Sequence, residues 1–167
     1  MTVSEFDAQM HKMIMRYPEQ VSLVQMNFLD THDVPRFLSY CVGDRRRLRL
    51  AYFYLFMGYG VPSVFYGDEY YIEGETENAY RSPMPWGSED NCYDILREYA
   101  QIRREHSAIR NGTYRTVLCQ DEKGLYLFLR ENEQEKILIA LNNSDEEQEI
   151  SDKAWRIPPM QGDIRIL

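Results

Sequence analysis

Asp30, Thr31, His32 and Asp33 stand in a row, with Pro35 and Arg36 close behind, directly after an uncharged and mostly apolar stretch, Val21 to Leu29. A carboxylate beside an imidazole can hold hydroxyl groups, move a proton, or stabilise positive charge developing on a reacting ligand. A second acidic pair, Asp68 and Glu69, follows the apolar run Val61 to Tyr66 in the same way, after Gly67. The first cluster also admits a plainer account, a turn in which Asp or Thr caps the following helix. A third account makes His11, His32 and Asp33 ligands of a metal phosphohydrolase. It is disfavoured, because such pairs need helix-borne ligands and this one follows an apolar strand.

The elements that must position these residues can be read in order. Thr2 to Glu5 has the form of a capping box, and Phe6, Met10, Met13 and Tyr17 then recur at helical spacing until Pro18. Val21 to Leu29 has the pattern of a strand buried on both faces, as in a parallel sheet. A helix is expected from Asp44 to Gly58, with Leu48, Ala51, Tyr52, Leu55 and Phe56 buried and Arg45, Arg46, Arg47 and Arg49 as its solvated face. Val61 to Tyr66 reads as a second buried strand. Polar residues past the C-terminal ends of such strands lie where α/β barrels keep their sites. A long, aromatic loop runs from Tyr70 to Asp90, and loops of that length are functional or disordered. Asn91 to His106 reads as a third helix, with Cys92, Ile95, Leu96, Tyr99 and Ile102 on one face.

The period changes near Asn111-Gly112. Thr113–Leu118, Leu125–Arg130 and Lys136–Leu141 read as strands, with weaker ones near Glu147–Ile150 and Asp163–Leu167. Regularly spaced short strands indicate an antiparallel sandwich. The fold class is therefore α/β over residues 1–108, followed by an all-β part over 109–167.

The 167 residues carry a net charge of −8, which speaks against a nucleic-acid or anionic-membrane partner. Three widely spaced cysteines give no disulfide framework and point to a reducing, cytoplasmic setting. The start of the chain lacks the pattern of a secretory leader. The uncharged run Leu50 to Gly67 approaches the length of a membrane span, but Gly58, Gly60 and Pro62 break it.

NFLDTHDVPRF, followed by GVPSVFYGDEYYIEG and then YRSPMPW, resembles the α-amylase superfamily of glycoside hydrolases, above all its neopullulanase, cyclomaltodextrinase and maltogenic amylase branch. The resemblance implies the last two βα units of a (β/α)8 barrel in residues 1–108 and a C-terminal β-sandwich in 109–167. It implies a retaining mechanism on α-glucan oligosaccharides, in which Asp33 is the third carboxylate and His32 holds sugar hydroxyls. Arg81 matches the Arg of an acid–Arg pair that reaches further glucose units, and Glu77 stands where Asp is usual. Asp68, Glu69 and Glu73 hold the loop. Trp86 and Tyr66 either shape the pocket or pack. Tyr71 replaces a glycine common after the G-D-E motif, which predicts a differently shaped loop. No cofactor or metal ligand is implied, and these residues do not address calcium. Nothing matches the segments carrying the nucleophile and acid/base. The chain is thus expected to be a C-terminal fragment, silent alone and self-associating through uncovered strand edges and apolar helix faces. The alternative is a non-catalytic, amylase-like binding or scaffold piece.

Overall fold

Thr2 opens helix α1 (Val3–Ile14) through a reciprocal cap. Its hydroxyl accepts from the Glu5 amide at 3.1 Å, and the Glu5 carboxylate accepts from the Thr2 amide at 2.8 Å. The computed structural model describes residues 1–150 and 154–167. After α1 it departs from the expected strand over Val21–Leu29. Glu19–Val24 form a second helix, α2, and only Met26–Asn27 are extended, as β1. An uncharged apolar run carries no period that separates strand from short helix. The Pro18 carbonyl accepts from the Val21 and Ser22 amides, and the Ser22 hydroxyl donates to the Ile14 carbonyl, so local bonds favour the helix.

The second strand is also shorter than expected. Val61–Pro62 form β2, parallel to β1, with Met26 opposite Val61 and Asn27 opposite Pro62. Neither is buried on both faces: Met26 is 59 % exposed and Val61 44 %. Helices α3 (Phe37–Tyr40) and α4 (Arg45–Met57) lie between the two strands in sequence. After β2 come a 3-10 turn at Asp68–Tyr70, then α5 (Glu77–Tyr80), α6 (Tyr93–Glu105) and α7 (Ser107–Asn111). The expected loop over Tyr70–Asp90 is thus part helical, and it is anchored. The Arg36 amide donates to the Gly74 carbonyl at 2.9 Å, and the Gly74 amide to the Ser39 hydroxyl at 2.8 Å. On α4, Arg45 makes paired bonds with Asp90 at 2.6 Å, and Arg46 binds Asp44, as a solvated face would.

The remaining strands are β3 (Thr113–Gln120), β4 (Leu125–Glu131), β5 (Lys136–Asn142), β6 (Gln148–Ile150), β7 (Trp155–Ile157) and β8 (Gln161–Ile166). An antiparallel sheet of order β3-β4-β5-β8 is faced by the antiparallel pair β6-β7. Alternation along β4 and β5 divides their side chains between two cores. Leu125, Leu127, Leu138 and Ala140 meet Ile150, Trp155 and Ile157 under the β6-β7 pair. Tyr126, Phe128, Ile137, Ile139 and Leu141 join the helices. Strand β7 and helix α7 are additions to the sequence expectation; β7 is only three residues long, too short to show a period.

Helix α4 is the centre of the larger core. Leu48, Leu50, Tyr52, Phe53, Leu55, Phe56 and Met57 are all buried, with α6 on one side and β8 on another. A helix apolar on so many sides belongs inside. Its C-terminal carbonyls cannot reach water, and two arginines answer them. Arg130, fully buried, donates to the carbonyls of Met57, Gly58, Gly112 and Thr113. Arg103 donates to those of Phe56, at 2.7 Å, and Gly60. Cations at a helix C-terminus also oppose its dipole. Burial pulls both guanidinium groups down to about 10, so both stay charged at neutral pH.

Sheet and helix approach most closely at Gly162 in β8. A Cβ there would lie 2.1 Å from Cδ1 of Phe53, which is itself buried. Gly162→Ala is expected to destabilise the fold by roughly 1–3 kcal/mol, the usual cost of overpacking. Urea unfolding checks this; an unchanged midpoint would mean that α4 does not rest on β8 at this point.

Candidate functional site

Because β1 and β2 are parallel, the segments leaving their C-terminal ends emerge on the same side. The first carries residues 28–36 and the second residues 63–92. Four side chains meet across them. The Arg81 guanidinium contacts Asp33 Oδ1 at 3.1 Å through Nη2 and Glu77 Oε1 at 2.7 Å through Nη1, and Nε donates to the His32 carbonyl at 2.8 Å. His32 Nε2 lies 3.2 Å from Asp33 Oδ2. All four predicted residues, Asp33, His32, Arg81 and Glu77, therefore fall in one network. It is open: the side chains of His32, Asp33 and Glu77 are each 66 % exposed. Two carboxylates, an imidazole and a planar five-donor guanidinium offer acceptors and donors for a ligand rich in hydroxyls.

Beneath this surface lies a second set of charges, almost wholly buried: Asp30, Arg36, Asp68 and Tyr52. Arg36 Nη1 donates to Asp68 Oδ1 at 3.0 Å and to the Tyr66 carbonyl at 2.7 Å, and Nε donates to the Tyr80 carbonyl at 3.0 Å. The Tyr52 hydroxyl donates to the other Asp68 oxygen. Asp30 Oδ1 accepts from the Phe37 amide at 2.6 Å, capping α3. Burial raises both carboxyls, Asp68 to about 8, where the neighbouring Asp30 adds to the effect while Tyr52 and Arg36 oppose it. Two buried carboxylates facing one guanidinium settle with one proton between them. Asp30 Oδ2 has no hydrogen-bond partner among the described residues.

Some of these roles were legible and some were not. Asp30 and Thr31 do the plain work of a turn: Asp30 caps α3, and the Thr31 hydroxyl accepts from the Asp33 amide at 3.2 Å. His32 and Asp33 are left free to face outward. Arg36, placed by the sequence in the ligand-facing cluster, is instead fully buried. The signal for that lay in its aromatic neighbours, since Phe65 and Tyr66 flank its guanidinium at 4.5 and 4.8 Å. Tyr71 has a left-handed backbone, φ 58°, at the position where a glycine was expected, and Arg45 covers its ring at 4.4 Å. Trp86 is 80 % exposed, so it does not pack among the described residues. Tyr66 lies partly exposed, its hydroxyl donating to the Ser82 carbonyl at 3.0 Å. His11 turns to Asp7 and Tyr114, and among the described residues no group of three or more His, Cys, Asp or Glu could hold a metal ion.

Comparison with known proteins gives a consistent result. Residues 1–116 match the family model described as alpha amylase, catalytic domain. The chain is 32 % identical over 142 residues to a cyclomaltodextrinase of Bacillus sp., covering 83 % of this chain and 25 % of that protein. It is 31 % identical over 148 residues to neopullulanase 2 of Thermoactinomyces vulgaris, covering 87 % of this chain and 25 % of that protein. Its backbone superposes with a TM-score of 0.89 on a cyclic α-maltosyl-(1→6)-maltose hydrolase of Arthrobacter globiformis, over 100 % of this chain and 40 % of that one. At 23 % identity this last likeness shows the fold alone. The chain spans about a quarter of the length of the curated relatives it matches.

The buried carboxyl pair has a consequence for stability against pH. Between the ordinary carboxyl range near 4 and the folded value near 8, the folded chain keeps a proton that the unfolded chain has lost. The pair's contribution to stability is therefore fullest below that window, falls as pH rises through it by at most about 1.4 kcal/mol per pH unit, and levels off above. Asp68→Asn is expected to flatten the slope, leaving Asp30, Arg36 and Tyr52 as the groups facing the site. Urea midpoints measured across this range would refute the shared proton if wild type and variant ran parallel.

Proposed function

The chain belongs to the α-amylase family, and from that premise we propose that it forms part of a retaining glycosidase acting on α-glucan oligosaccharides. Residues 1–108 are then the last two βα units of a (β/α)8 barrel, and 109–167 a C-terminal β-sandwich domain. In support, each parallel strand is followed in the chain by a longer helix, α4 after β1 and α6 after β2, and α4 packs on β2. The observation that carries the reading is the open network in which Arg81 ties Glu77 to Asp33 beside His32, past the ends of both strands.

In this proposal Asp33 is the carboxylate that assists the two reacting ones. Retaining hydrolysis passes through an oxocarbenium-like transition state, and its two reacting carboxyls stand about 5 to 5.5 Å apart. A third, fixed negative charge lowers the energy of that positive transition state. His32 holds hydroxyls of the sugar at the cleaved bond, while Arg81 and Glu77 hold those of glucose units further along. The nucleophile and acid/base come from outside these residues, so the chain alone is silent. The relatives' printed activities, on cyclomaltodextrins or pullulan, define the substrate class only broadly. The free cysteines Cys41, Cys92 and Cys119 fit a reducing, cytoplasmic setting, and no helix among the described residues is long and apolar enough to cross a membrane.

In the complete enzyme, Asp33→Asn is expected to lower kcat by roughly 10² to 10³. Its folding should change little, because exposed ion pairs contribute little to stability. Turnover of a maltooligosaccharide at the wild-type rate would remove Asp33 from the mechanism.

We propose further that the chain by itself associates with a second copy. The outer edges of β1 and β2 are unpaired among the described residues. Beside β1 lies an apolar trough of about 390 Å³, lined by Phe6, Met10, Met13, Met26, Phe28 and Leu29. Free strand edges next to apolar surface template pairing between chains. Light scattering after size exclusion should give at least the dimer mass, and a strict monomer at micromolar concentration would overturn this.

A further inference from the structure

We infer that Arg36 is the positioning residue of the candidate sugar-binding network: its buried guanidinium fixes the backbone from which Arg81 reaches Asp33. The inference rests on the reading of Arg81 and Asp33 as substrate-binding groups only for its effect on the enzyme, not for the positioning itself.

Arg36 joins three segments. Its own backbone follows Asp33 by three residues and donates to Gly74. Its Nη1 takes Tyr66 and Asp68, just past β2. Its Nε takes the carbonyl of Tyr80, the residue immediately before Arg81. Helix α5, which ends at Tyr80, has four residues and no side-chain cap, too few to hold a position alone. Arg81 is held on one side by the Arg36 bond to Tyr80 and on the other by the Tyr66 bond to Ser82, and the first ties it to the segment that carries Asp33. The guanidinium is suited to this because it is rigid and planar and donates in several fixed directions, which a lysine cannot do. It lies against the Phe65 and Tyr66 rings, and Asp68, oriented by Tyr52, accepts from its Nη1. Fully buried, Arg36 cannot touch a sugar, so any effect it has on binding passes through Arg81.

The test has two arms. In the 167-residue chain, exchange of the Arg81 Nε proton is followed by NMR. Arg36→Lys is expected to speed that exchange severalfold while the amides of β4 keep their protection. Asp68→Leu should do the same, and Asp68→Asn, which keeps an acceptor for Arg36, should not. Unchanged Arg81 exchange in Arg36→Lys, with β4 intact, overturns the inference. In the complete enzyme, Arg36→Lys should raise KM for long maltooligosaccharides by roughly tenfold, as expected for a displaced charge-assisted contact. It should add nothing on an Arg81→Ala background; additive effects in this cycle would mean that Arg36 merely supports the fold. If exchange responds as expected but Arg81→Ala leaves KM unchanged at every chain length, the positioning stands and the sugar-binding reading falls.

Discussion

A helix that ends inside a protein must find partners for its last carbonyls, and that constraint governs this chain. Helix α4 runs between the sheet and α6, buried along much of its length. Carbonyl groups left without donors there would each cost on the order of 1–3 kcal/mol. Arg103 from α6 and Arg130 from β4 meet them, and both also reach the turn that leads into β2 or the turn that leads into β3. The two cations thus fix where the parallel strand restarts and where the antiparallel sheet begins. Among the described residues neither uses a carboxylate partner; the peptide dipoles at the helix end take that part.

Charge is handled differently in the two layers of the site. Outside, His32, Asp33, Glu77 and Arg81 are ionic and wet, and their mutual attraction is weakened by water. Inside, Asp30, Arg36 and Asp68 come close to neutrality by retaining a proton, and every hydrogen bond there is short in reach and specific in direction. The outer layer can exchange its partners for those of a ligand. The inner layer cannot, and it gives the outer one its geometry.

Much of this was legible in the sequence. The capping box at Thr2 and the α4 and α6 faces follow from cap residues and a period of 3.6, and the strands from Thr113 to Asn142 from the turn residues that separate them. The site residues were found by motif rather than by period. The failures have one cause. Val21–Val24 is helical and Val64–Tyr66 irregular because short apolar runs lack a period, and turn bonds from Pro18 or a missing donor at Pro62 then decide. Arg36 was misplaced for a related reason: sequence shows a charge next to other charges, and only the fold shows the Phe65 and Tyr66 rings closing over it.

The contact between α1 and the sheet bears on how the chain acquires its structure. Asp7 accepts hydrogen bonds from Thr116 and Tyr126, residues 109 and 119 positions later. Phe6 packs edge-on against Tyr54 and Tyr126. A twelve-residue helix is marginal in water without tertiary partners. During synthesis α1 therefore waits, with its apolar face unprotected, until β4 has emerged and paired. Closing a loop of that length is slow compared with forming any helix in the chain. Of these residues the earliest made are among the last to be secured, and through that interval they have need of a chaperone's cover.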